Sequence, residues 1–195
     1  MPKIIDTMSF DGFDRRVERL GISTILTEVK ELITGFRLLL AESQQANGAA
    51  AVREMLDARF KSIFPGWRQI KSGGIDWTKC IIHNGAQVCM GVELQISARS
   101  DLLTNDLTHL MRAIELGNID VGVIVVPADR TAYFLTDRCP RYSYAIDHIE
   151  RAKAQFSPLL LLSIGHDGVG PALAKKGHKP GDRKAPTTIF RVTRA

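Results

Sequence analysis

Aromatic residues make up only 7% of this chain, cysteines number three, and no apolar run approaches a bilayer's thickness. A spanning helix needs about 20 consecutive apolar residues, so no membrane role is expected. Cys80, Cys89 and Cys139 have no Cys-x-x-Cys spacing, which removes the common zinc frameworks. No Gly-Lys-Ser/Thr follows the C-terminal glycines, so they do not form a nucleotide phosphate loop. No Ser-His-Asp or Cys-His arrangement can be argued. The opening residues, MPKIIDTMSF, lack a charged-then-apolar signal pattern, and a soluble, cytoplasmic protein is expected. In that compartment Cys80 and Cys89 are expected to be reduced thiols, although a hairpin would bring them close enough to oxidise.

What is present begins with size. The chain has 195 residues with 45% hydrophobic content, enough for one full core, and a single domain over 1–195 is expected. Charge is distributed unevenly. Residues 165–195 carry seven Lys or Arg (Lys175, Lys176, Lys179, Arg183, Lys184, Arg191, Arg194) against Asp167 and Asp182. That excess equals the whole net charge of +5. The segment lacks hydrophobic periodicity and suits either a solvated tail or sequence-indifferent contact with a phosphate backbone.

Periodicity gives a coarse order of elements. Residues 1–21 are poorly patterned. From Ile22 to Leu40 apolar residues recur at helical spacing, with Gly35 read as a soft spot within the helix. A second helix spans about Ala49 to Ile63, and these parts make 1–66 a helical N-terminal region. Trp67 to Lys71 reads as a short strand. A helix follows from Ser100 or Asp101 to Leu116, closed by Gly117. The β-branched run Ile119–Val126 reads as a strand buried on both faces. A helix over about 142–155 then leads to a second buried strand, Leu159–Ile164, and Ile189–Val192 reads as a last strand. Residues 67–164 thus form an α/β core, a mixed β-sheet flanked by helices, and 165–195 is the basic C-terminal segment.

The stretch from Gly74 to Ser97 carries the chemistry. It pivots on Asn84-Gly85, the strongest short signal for a type I′ hairpin turn. That turn pairs His83 with Ala86, Cys80 with Cys89 and Asp76 with Glu93. Opposed antiparallel residues have Cβ atoms about 4.5–5.5 Å apart, so two carboxylates meet, with Gln95 on the same face. Ile75, Trp77, Ile81, Val88, Met90, Val92, Leu94 and Ile96 form the apolar face, and the other face is expected to look outward. Opposed like charges destabilise a sheet unless one is protonated or a cation lies between them. A divalent-metal site is therefore the leading expectation, with a merely solvated polar face as the alternative.

The order Asp, hairpin, Glu-Leu-Gln at the end of an apolar strand resembles the PD-(D/E)XK nucleases. VELQIS, the helix after it with Asp101-Leu102, the strand IDVGVIVVP and the run SPLLLLSIG look more narrowly like restriction endonucleases of the BglII and BstYI type. Those have Gln where Lys is usual. The resemblance implies a restriction-endonuclease-like fold, with Asp76, Glu93 and the Leu94 carbonyl as ligands to Mg²⁺ (Mn²⁺ substituting). It also implies Gln95 as the residue that orients the attacking water. The hairpin is longer than in the relatives considered, but the shorter spacing would fall on Asn84, which supplies no anionic ligand. Gln95 cannot stabilise developing charge as Lys would, yet it hydrogen-bonds a water in either sense.

The implied function is Mg²⁺-dependent cleavage of double-stranded DNA by a type II restriction enzyme. A homodimer follows because cutting both strands symmetrically needs two sites. Its interface candidates are the Ile22–Leu40 and Asp101–Leu116 helices. Arg99, Lys71, Lys175 and Lys176 are the candidate DNA contacts. Glu54 is a weaker candidate for an extra acid. His109, Asp106 and Asp120 read as packing, capping or surface groups, and His166 lies at a strand end. Two alternatives stand beside this reading: a repair or defence nuclease with little sequence preference, and a DNA-binding protein on the same fold that has lost catalysis.

Overall fold

In a computed structural model, the described residues are 1–69, 74–97, 102–136 and 138–175. Six strands form a mixed sheet. They are β1 (Lys3–Ser9), β3 (Arg68–Gln69), β4 (Trp77–His83), β5 (Ala86–Leu94), β6 (Val121–Pro127) and β7 (Leu159–Gly165). Their order across the sheet is β1-β7-β6-β5-β4-β3. The three central strands β5, β6 and β7 run parallel, and the pairs on either side of them are antiparallel.

Helices cover both faces, as the apolar patterning requires. On one side pack α1 (Phe13–Arg19), α2 (Ser23–Thr34) and α3 (Ala49–Ser62). Val121, Val123 and Val125 of β6 and Leu160, Leu162 and Ile164 of β7 meet Ile25, Val29, Leu32, Val52, Leu56 and Phe60 there. On the other side lie α4 (Leu103–Glu115) and α6 (Tyr142–Arg151). Ile124, Val126, Leu159 and Leu161 meet Leu103, Leu107, Leu110, Ala145 and Ile149. The alternation splits each central strand between two apolar layers, which is why both read as unbroken hydrophobic runs.

The hairpin has the expected register: His83 opposes Ala86, Cys80 opposes Cys89 and Trp77 opposes Val92. Asn84 at φ 49 and Gly85 at φ 79 give the two left-handed residues of a type I′ turn. Three expectations about it are corrected. Cys80 and Cys89 are joined in a disulfide, whereas a cytoplasmic compartment predicts reduced thiols. The second face does not look outward along its inner half either, because α4 lies over it and buries Glu93 and Gln95. Ile75 leaves the Trp77 side as well and joins the α4 layer, since the chain before β4 is not strand and alternation does not reach it.

Other differences have local causes. The helix expected from Ile22 to Leu40 is α2, which ends at Gly35 and does not run on to Leu40. Arg59 from α3 donates to the carbonyls of Leu32 and Glu31 at 2.7 and 3.2 Å and so satisfies the freed end of α2. Leu39–Leu40 becomes β2, which pairs in parallel with β8 (Gly168–Val169). Residues 1–21 contain β1, an edge strand with mostly exposed side chains and hence little pattern. The short helix α5 (Asp129–Phe134) follows β6 directly. The expected strand Ile189–Val192 lies outside the described residues. No described helix is long and apolar enough to cross a membrane.

Candidate active site

Parallel strands present their carboxyl ends to one edge of the sheet, and β5 ends there at Glu93-Leu94 with Gln95 just beyond. Asp76 stands one step past the Trp77–Val92 pair, so the hairpin brings it to Glu93 from the neighbouring strand. Its carboxylate is tied down on both oxygens. Oδ2 accepts the Leu94 N–H at 2.8 Å, and Oδ1 accepts Arg53 Nη2 at 2.6 Å. Arg53 enters from α3. Its Nη1 donates to the Leu94 carbonyl at 2.7 Å and its Nε to Asp57 Oδ2 at 2.9 Å. Asp57 in turn accepts the Trp77 indole N–H at 2.9 Å.

The opposite wall comes from α4. Gln95 Nε2 donates to Asp106 Oδ2 at 2.5 Å, and His109 Nδ1 lies 3.9 Å from the other Asp106 oxygen. Together Arg53, Gly74, Asp76, Glu93, Gln95, Leu102, Asn105, Asp106 and His109 line a cavity of about 290 Å³. Gly74, with φ +91 and the His109 ring against its Cα, has no room for a side chain.

Glu93 and Gln95 are each only 2% exposed. Burial pushes the Glu93 pKa up to about 11, helped by the charge and hydrogen bonding of Asp76 and by the charge of Asp106, with Arg53 opposing. Asp106 is also raised, chiefly by burial, although the bond from Gln95 pulls the other way. Burial lowers the affinity of the Arg53 guanidinium for its proton, but Asp76 and Asp57 together outweigh it and the net direction is up. Among the described residues lining it, the site thus concentrates three carboxyls against one guanidinium. Two buried oxygens, Glu93 Oε1 and Gln95 Oε1, have no hydrogen-bond partner among the described residues, an expensive state unless a ligand or water meets them.

The donor set suits a hard cation: the Asp76 and Glu93 carboxyl groups, the latter with one buried oxygen free of any described partner, and the Leu94 carbonyl. Among the described residues, however, no three His, Cys, Asp or Glu side chains are grouped so as to hold a metal ion by themselves. A magnesium ion that keeps several waters needs no such group.

Of the candidates read from the sequence, the structure gathers Asp76, Glu93, Leu94 and Gln95 in one place. Lys71, Arg99 and Lys176 lie outside the described residues. Lys175 is exposed and sits beside Gly48, at the start of the helix that carries Arg53. Glu54 is exposed; its neighbour Arg53 is the residue that α3 turns inward. Asp106 is not a surface cap but the partner of Gln95. Asp120 accepts the Cys89 N–H at 2.7 Å. Arg53 and Asp57 carried no sequence signal beyond their i, i+4 spacing on a helix.

No family model matches the chain. Over 155 residues it is 23% identical to the type II restriction enzyme BamHI of Bacillus amyloliquefaciens, spanning 68% of this chain and 72% of that protein. The relation is distant. It sets the chain near restriction-enzyme-like proteins and the nucleases without fixing a narrower family, and the mixed sheet between helices agrees with that arrangement.

A larger cavity of about 550 Å³ lies at the ends of β6 and β7, around His166. Its polar groups already serve one another. His166 bonds Thr131 Oγ1 at 3.1 Å and Glu42 Oε1 at 3.0 Å, and Asp167 holds the Leu38 N–H at 2.6 Å and the N-terminal ammonium. Size alone therefore does not select it. The smaller cavity holds the buried, strongly perturbed carboxyl, which is the better mark of a working site.

Proposed function

We propose that this protein is a Mg²⁺-dependent endonuclease that hydrolyses phosphodiester bonds of double-stranded DNA, a type II restriction enzyme acting as a homodimer at a short specific site. The observation that carries this reading is the convergence of Asp76 and Glu93 across the hairpin, with a buried Glu93 oxygen that has no partner among the described residues. The distant likeness to a restriction enzyme supports the reaction class.

In this reading Asp76, Glu93 and the Leu94 carbonyl hold the ion, with Mn²⁺ able to replace it. When bound, Mg²⁺ polarises the phosphate and acidifies a coordinated water. Gln95 orients the attacking water through Oε1 while Asp106 fixes its amide from the other end. The Glu-Leu-Gln order follows the BglII and BstYI type. Lys71, Arg99, Lys175 and Lys176 contact backbone phosphates, which neutralise them without reading sequence. The helices α2 and α4, candidate interface elements, turn their apolar stripes to their own sheet. They meet a second copy through their polar faces.

A second reading draws on one observation, the neutral Gln95 in place of a cation: a DNA-binding protein that has lost cleavage. Purified protein incubated with Mg²⁺ and several plasmid DNAs decides between them. Discrete fragments from the wild type, absent with Asp76→Ala and with Glu93→Ala, are expected. Smeared products point to a nuclease without sequence preference. DNA binding with no cleavage in either metal favours the second reading, and discrete cleavage by both variants refutes the site.

A further inference from the structure

Two of the groups assigned to the metal already face a cation of the chain's own. The Arg53 fork spans them, with Nη2 on Asp76 Oδ1 at 2.6 Å and Nη1 on the Leu94 carbonyl at 2.7 Å. Reaching a carboxylate and a carbonyl at once is what a planar guanidinium does and an ammonium does not. The remaining Asp76 oxygen is committed to the Leu94 N–H at 2.8 Å. Arg53 is only 17% exposed and is anchored at Nε by Asp57, which the Trp77 indole holds. Its helix is seated by Val52, Leu56 and Phe60 in the core. The side chain is therefore held on these oxygens by its own set of partners.

We propose that Arg53 is a resident cation that neutralises Asp76 before metal arrives and gives up Asp76 and the Leu94 carbonyl when a divalent ion takes them. Metal loading is then coupled to a movement of Arg53. This rests on Asp76, Glu93 and Leu94 being the metal's ligands. A magnesium-sized ion takes its oxygens at about 2.0–2.1 Å in a near-octahedral set. The Asp76 oxygen and Leu94 carbonyl it would use are those the guanidinium now covers. A guanidinium cannot shed its proton to relieve the repulsion between two neighbouring cations. It can only move. Arg53 is itself part of the wall of the cavity. The freed fork there matches a phosphate oxygen pair, so nucleic acid would hold Arg53 in its displaced position and favour metal loading.

Competition of this kind predicts that removing Arg53 tightens metal binding. Mn²⁺ alone is titrated calorimetrically into the full chain, as wild type, Arg53→Met, Arg53→Lys and Asp76→Ala. Arg53→Met is expected to bind Mn²⁺ about 10-fold more tightly than wild type, within the usual span of coupling between sites. Arg53→Lys falls between them, because it keeps the charge but cannot span both groups; it carries the same sign should Arg53→Met fail to fold. Asp76→Ala gives no binding heat. A purely structural Arg53 gives the opposite result, since a loosened α3 weakens the site. Equal or weaker binding in the Arg53 variants, with Asp76→Ala silent, overturns the Arg53 inference and leaves the metal reading standing. Absence of Mn²⁺ binding in both wild type and Arg53→Met overturns the two together.

Discussion

Glu93→Gln should make the metal-free protein more stable while ending its activity. In the folded chain the Glu93 carboxyl keeps its proton up to a pH of about 11, against an ordinary value of 4.5. In the unfolded chain it ionises at that ordinary value. Above it the unfolded state binds fewer protons than the folded one, so stability falls as pH rises. The loss is about 1.4 kcal/mol per pH unit and accumulates to roughly 3 kcal/mol at pH 7. Gln keeps the shape and a donor toward Asp76 but has no proton to lose. With EDTA present, Glu93→Gln should therefore exceed wild type by roughly 3 kcal/mol at pH 7, a rise in Tm of roughly 6–12 °C for a chain of this size. At pH 5 the gap should shrink below about 1 kcal/mol. Urea melts at both pH values measure it. A variant no more stable than wild type at pH 7, or a gap that does not narrow on acidification, refutes the reasoning.

Gln95 and the hairpin supply further tests. Gln95→Ala should lower the cleavage rate by about 10²-fold, the scale of a lost water-positioning group, with Mn²⁺ affinity little changed. Gln95→Lys, with Asp106 waiting as its counter-ion, should retain cleavage; equal rates for all three proteins would remove Gln95 from the reaction. Reducing the Cys80–Cys89 bridge, which closes a loop of separation 9, should cost about 2 kcal/mol of stability. Denaturant melts with and without reductant show it. Unchanged melts, or free thiols in the untreated protein, contradict the bridge.

The parts legible in the sequence were those set by short-range rules. The Asn84-Gly85 turn fixes the register, and the register alone puts Asp76 beside Glu93, with no tertiary contact needed. The central strands were legible because burial on two faces leaves an unbroken β-branched run. What escaped depends on partners distant in sequence. The stop at Gly35 is secured by Arg59 from another helix, and β1 is an edge strand whose pattern is blunted because one side faces solvent. The cover over the acidic face comes from α4, and only that cover makes Glu93 a buried acid and Asp106 a site residue. Arg53 looked like any helical arginine paired with an aspartate four residues on. Nothing local marks it as the residue that reaches Asp76 from 23 positions away.

The most direct measurement is cleavage of plasmid DNA by the wild type, Asp76→Ala and Glu93→Ala, run with Mg²⁺ and with EDTA. The account predicts discrete fragments only from the wild type and only with the metal. Discrete cleavage that persists in EDTA or in either variant contradicts it.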